Sequence, residues 1–109
     1  MAQHTFGIME IAPKSNDRYD DYNPEKYETV SVWEDDFEKY AIEMKNLECF
    51  SHSIDLPRQG LEYCGITLIP PTSLQHMIDI LMYDIEFADL TDLLNRAANE
   101  NKFVIHFGV

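Results

Sequence analysis

The sequence predicts an α+β fold, and three observations carry the prediction. Short stretches alternate apolar and polar residues with period two, and longer stretches repeat apolar residues at helical spacing. The two patterns are interleaved along 109 residues, 45% of them hydrophobic, with only four glycines and five prolines. A chain of this length fits one domain, residues 1–109, because two pieces would each be too small to bury a core.

The elements follow in order. "TFGIMEI", Thr5 to Ile11, is apolar, β-prone and stopped by Pro13, so it reads as a strand. "SNDRYDDYNPEKYE", Ser15 to Glu28, reads as a long acidic loop: charge and Pro24 keep it out of helix and sheet. "ETVSVW" alternates, with Val30 and Val32 on one face and Thr29, Ser31 and Trp33 on the other. The period then changes: Phe37, Tyr40, Ala41, Met44 and Leu47 form one helical stripe. Asp35 is placed to cap that helix with Glu38 as its reciprocal partner, and the neighbouring acids suit the helix dipole.

"ECFSHSI", Glu48 to Ile54, reads as a strand with a polar face, and "DLPRQG" as the turn after it. "LEYCGITLI", Leu61 to Ile69, is apolar on both parities beyond Cys64, as a central strand is. Pro70 and Pro71 end it. Thr72 with Gln75 forms a capping box for a helix with the stripe Leu74, Met77, Ile78, Leu81 and Met82. The stripe loses phase from Tyr83 to Ala88. A second helical piece begins at Asp89 or Thr91, with Leu90, Leu93, Leu94 and Ala97 inward. "KFVIHFGV" closes as an apolar strand.

After the acidic loop the order is β-α-β-β-α-β, which resembles the ferredoxin-like split unit. The resemblance implies an antiparallel sheet with helices on one face. It centres "ETVSVW" and "LEYCGITLI", sets "ECFSHSI" at an edge, and sends the extra N-terminal strand to the edge beside the C-terminal one. Topology alone carries no function.

Charge says more about function. Twenty acids against eight bases give −12, and residues 17 to 38 hold nine of the acids against Arg18 and Lys26. Such a charge repels phosphate backbones and anionic membranes, so direct nucleic-acid or membrane binding is not expected. No charged, apolar signal segment opens the sequence and no apolar run reaches the length of a membrane span, so the expected location is the cytoplasm. There Cys49 and Cys64 are expected to be reduced thiols, and a hairpin would bring them near each other.

Tests for chemistry are negative. A calcium loop starting at Asp17 fails because Tyr19 and Tyr22 occupy the third and sixth positions, where a ligand and a glycine are needed. Cys49, His52, Cys64 and His106 have zinc-ligand atoms, but residues three apart on a strand point to opposite faces. No nucleophile elbow, P-loop, dinucleotide fingerprint or H-E-x-x-H motif occurs. No catalytic residue, metal or cofactor is therefore assigned.

What remains is recognition. Tyr19, Tyr22 and Tyr27, interleaved with Asp17, Asp20, Asp21 and Glu25, would form a patch for a basic protein, with Trp33 adding to it if exposed. The other reading of the three tyrosines is that they fold back and pin the loop to the sheet. The expected function is that of a non-catalytic acidic domain that binds a basic protein partner. An immunity or inhibitor protein masking a basic surface is its concrete form. Two alternatives belong to other classes. One is a small-molecule sensor with a pocket lined by Tyr63, Met77 and His106. The other is a small enzyme using His52, paired with Glu62 across a hairpin, or His106. An edge strand or Trp33 would allow a homodimer.

Overall fold

The structure is a computed structural model describing residues 2–109. Six strands form one antiparallel sheet: β1 (Gln3–Ile8), β2 (Thr29–Trp33), β3 (Glu48–Ser51), β4 (Pro57–Gln59), β5 (Ile66–Ile69) and β6 (Val104–Phe107). Short helices α1 (Glu34–Phe37) and α2 (Ala41–Met44) link β2 to β3. Longer helices α3 (Pro71–Leu81) and α4 (Ala88–Asn99) link β5 to β6.

The strand order is β2-β1-β6-β5-β3-β4, which differs from the ferredoxin-like arrangement. "ETVSVW" forms β2 at an edge instead of the centre, and the N-terminal strand lies inside the sheet between β2 and β6. The reason is the lost helical phase at Tyr83–Ala88. A single crossover helix returns the chain in the direction of the strand it left, whereas two packed helices reverse it once more. The pair α3–α4 therefore delivers β6 as the antiparallel neighbour of β5, with Thr67 opposite His106. β6 is buried along its whole length and needs a strand on its other side too. β1 supplies it, with Phe6 opposite His106.

Two further differences are local. "DLPRQG" contains β4, which takes the edge outside β3 and sets Arg58 opposite Cys49. Only Ile66–Ile69 of "LEYCGITLI" is strand, and Leu61–Gly65 form a loop. The two cysteines are thus separated, Cys49 buried and Cys64 exposed. Burial pushes the Cys49 thiol up to about 12, which makes it inert.

The helix stripes fall where periodicity puts them. Leu74, Met77, Ile78 and Leu81 of α3 are buried, as are Leu90, Leu93, Leu94 and Ala97 of α4, while Met82 is exposed. Each buried Leu, Ile or Met among them contributes about 1.5–3 kcal/mol over leaving it in water. The caps differ. Asp35 does not cap α1, because β2 runs straight into the helix with Trp33 at the N-cap position. Thr72 does not cap α3, which begins one residue earlier on Pro71. Ser73 instead donates to the Glu48 carbonyl at 2.6 Å, tying α3 to β3. The Phe37–Leu47 stripe is interrupted by a 3-10 turn at Glu38–Tyr40.

Both faces of the sheet are covered. The helices pack on one face, over Phe6, Ile69 and Val104. On the other, Ile66, Leu68, Ile105 and Phe107 lie beneath Tyr19 and Tyr27 of the acidic loop. A Cβ on Gly7 would lie 2.7 Å from the Tyr27 Cβ, so glycine in β1 is the notch that lets the loop lie on the sheet.

Candidate functional site

The acidic loop is tied down along its first residues. Asp55 accepts from the Ser15 hydroxyl and the Asn16 amide, each at 2.6 Å, and these bonds hold its carboxyl below the usual range. The Tyr19 amide donates to the His52 carbonyl at 2.8 Å. Tyr19 and Tyr27 are half-buried, and desolvation raises both phenols. Tyr22 is 61% exposed, although its ring meets Phe107 edge-on at 5.3 Å. Two of the three rings thus fold inward.

The acids divide similarly. Asp17 accepts from the Lys14 amide at 3.2 Å. Asp20 pairs with Arg18 and His52, and the Arg18 guanidinium holds its carboxyl low. Asp21 and Glu25 face solvent. Trp33, 44% exposed, ends edge strand β2.

His52 belongs to the loop's anchor. Its Nδ1 lies 3.0 Å from the Tyr19 carbonyl, and its Nε2 accepts from the Ile66 amide at 3.4 Å. Glu62 is engaged elsewhere, with Ser51 and Arg58 at 2.6 Å each. Among the described residues, no group of three or more His, Cys, Asp or Glu is placed to hold a metal ion.

The polar centre of the molecule involves His4, one residue before the predicted strand. His4 and His106 are both buried on the helix side of the sheet, with ring centroids 5.0 Å apart. A chain of hydrogen bonds runs through them. The Glu62 amide donates to Thr67 Oγ1 at 2.7 Å, leaving the hydroxyl hydrogen for His106 Nδ1 at 3.3 Å. His106 Nε2 then donates to His4 Nδ1 at 2.8 Å, and His4 Nε2 donates to Glu34 Oε2. Complete burial, reinforced by His4, holds the His106 imidazolium pKa well below its ordinary value, so the ring is neutral as this polarity requires.

Glu34 ends this relay at the wall of a cavity of about 230 Å3 between α1–α2 and the Gly60–Tyr63 loop. Tyr63 lines it. Met77 does not line it; it lies in the core. Neither does His106, which lies one step behind His4 in the relay. The relay joins β1, β5, β6 and α1, and sequence separations of up to 102 residues kept it out of sight.

A second feature lies at the turn between α3 and α4. Tyr83 is 91% exposed, Ile85 is 87% exposed, and Met82 beside them is half-exposed. The segment Ile78–Asp92 carries five acids and no Lys or Arg. The turn is braced: Asp84 accepts from the Glu86 amide at 3.0 Å and from the Tyr40 hydroxyl at 2.7 Å. Lys39 lies 3.5 Å from the same carboxylate, and the Tyr40 hydrogen bond holds that carboxyl low. The lost helical phase at Tyr83–Ala88 was the visible sign of this turn, but periodicity could not show that its apolar residues point outward.

No helix is long and apolar enough to cross a membrane among the described residues. No protein-family model matches the chain, and neither a curated protein nor a solved structure matches it.

Proposed function

We propose that this protein is a non-catalytic acidic domain that binds a basic protein partner, in the manner of an inhibitor or immunity protein. The observation that carries the reading is the braced α3–α4 turn. It presents Tyr83 and Ile85 nearly fully exposed within a segment of acids and no bases. Large exposed aromatic and aliphatic groups on a rigid turn lose little entropy on binding, which is how hot-spot residues act. The surrounding carboxylates would steer a basic surface toward them. The contact surface is thus assigned to the helical side; Tyr19 and Tyr27 are engaged in covering the sheet. Asp21, Tyr22, Glu25 and Trp33 remain available as lesser contacts.

The test is affinity capture with the immobilised domain at low and high salt, beside a Tyr83→Ala/Ile85→Ala variant. A basic protein retained by the parent domain at about 50 mM salt, released at about 500 mM, and not retained by the variant supports the reading. Equal retention on the variant, or recovery of acidic proteins alone, overturns it.

A further inference from the structure

The cavity at the end of the relay is a built site. Its volume of about 230 Å3 would hold roughly seven waters at about 30 Å3 each, or a short alkyl chain with a polar head. Its lining carries three carboxylates, Glu34, Glu38 and Glu62, against Lys45 and Arg58. Arg58 is already engaged, to Glu62 at 2.6 Å and to the Gly60 carbonyl at 3.1 Å. The rings of Phe37 and Tyr63 line the same space.

Glu34 is the residue around which the site is organised. His4 holds its Oε2, and the chain of donors behind His4 fixes that ring in turn. The carboxylate is 14% exposed, and among the described residues its Oε1 has no partner. An oriented carboxylate with one oxygen to spare can accept charge-assisted hydrogen bonds from a compact cation at that oxygen. It does not match the two-pronged fork of a guanidinium, which needs both oxygens. The negative field extends to the cavity mouth, where Glu34, followed by burial and then more weakly Cys64, Glu38 and Asp35, raises the Tyr63 phenol.

We propose that this cavity binds a primary alkylammonium group, with Glu34 Oε1 accepting its N–H and Phe37 and Tyr63 flanking its alkyl stem. The group is carried either by a free amine or by a lysine side chain. His4 and His106 are positioning residues: His4, which also lines the cavity, holds the Glu34 carboxylate, and His106 stands behind it outside the cavity.

The test uses the full chain with n-butylammonium and acetyl-lysine-amide as separate probes, and ethylguanidinium and tetramethylammonium as controls. Fluorescence of Trp33, the sole tryptophan and the neighbour of Glu34, reports binding. The ring nitrogens of His4, followed by NMR, report whether the relay is engaged. Saturable binding of either amine, with a shift at His4 Nε2, supports the site, and the arm that binds more tightly identifies the source. Glu34→Gln should weaken binding about tenfold or more, roughly the worth of one charge-assisted bond. Glu34→Gln also alters the end of the relay, so Glu38→Gln, which leaves the relay whole, is measured with it and should weaken binding a few-fold. Glu86→Gln on the α3–α4 turn should change nothing. Equal response to tetramethylammonium, which has no N–H, overturns the proposal. So does tighter binding of ethylguanidinium, or unchanged affinity in Glu34→Gln.

Discussion

His4 Nδ1 lies 2.8 Å from His106 Nε2, and neither ring has a nitrogen left without a partner. Two imidazoles bonded nitrogen to nitrogen can share one hydrogen only if one donates and the other accepts. The Glu34 carboxylate at one end and the Thr67 hydroxyl at the other fix the direction. This arrangement has a pH consequence.

His106 is neutral when folded and ordinary when unfolded, so the unfolded chain takes up a proton first as pH falls. The contribution to stability is complete above the ordinary value of 6.5 and is lost as pH drops below it toward the depressed folded value. The expected slope from this residue is about 1.4 kcal/mol per pH unit at most. His4 and Glu34 are the titratable groups of its relay, and the lowered carboxyls of Asp20, Asp55 and Asp84 act only at lower pH. Urea midpoints measured between about pH 7 and pH 5 should fall in the parent protein and fall less steeply in His106→Gln. A slope unchanged by the substitution would remove His106 as its source.

Gly7→Ala should destabilise by about 1–3 kcal/mol, the usual range for forcing an extra carbon into a packed contact. The new methyl meets the Tyr27 Cβ at 2.7 Å, so the loop must lift from the sheet. Urea unfolding should show a lower midpoint, and limited trypsin digestion should cut faster at Lys14 and Arg18. Wild-type proteolysis in the variant would mean that the loop is not held through this notch.

Thr91→Val should stabilise the protein. Thr91 Oγ1 is buried, and among the described residues it has no hydrogen-bond partner. Valine keeps the shape and removes a polar atom that lost its water, a gain of about 1 kcal/mol. The thermal midpoint should rise by about 4 °C. A fall would reveal a partner for the hydroxyl.

Tyr83→Ala and Ile85→Ala should leave the thermal midpoint nearly unchanged, within about 0.5 kcal/mol, because both side chains are almost wholly in water. Asp84→Ala differs. It takes the acceptor from the Tyr40 hydroxyl and the Glu86 amide at once, so its thermal midpoint should fall below those of the other two variants. Calorimetry of the three variants separates exposed contact residues from the brace that carries them.

Local pattern was legible and long-range pairing was not. The stripes of α3 and α4 and the strand character of β2, β5 and β6 follow from spacing, because burial acts on each element by itself. The α+β class follows with them. Strand order does not, since it depended on whether Tyr83–Ala88 merely disturbed one helix or separated two. The capping residues Asp35 and Thr72 had the right chemistry, but β2 and Pro71 started the helices earlier. At the site, the parity of His106 was readable while its partner was not. His4 lay just outside the predicted first strand, and nothing in a single sequence pairs residue 4 with residue 106.

The place of β6 in the strand order has an implication for assembly. The sheet consists of two halves, β2–β1 and β5–β3–β4, and β6 alone joins them. On a ribosome, the first half is made and must wait with Phe6 and Ile8 uncovered until residues 104–107 have left the exit tunnel. The helical hairpin α3–α4 can form early from local contacts, but closing the sheet brings together segments about a hundred positions apart, which slows folding. During that delay the twelve net negative charges matter most, because mutual repulsion keeps nascent chains from pairing their open edges with one another.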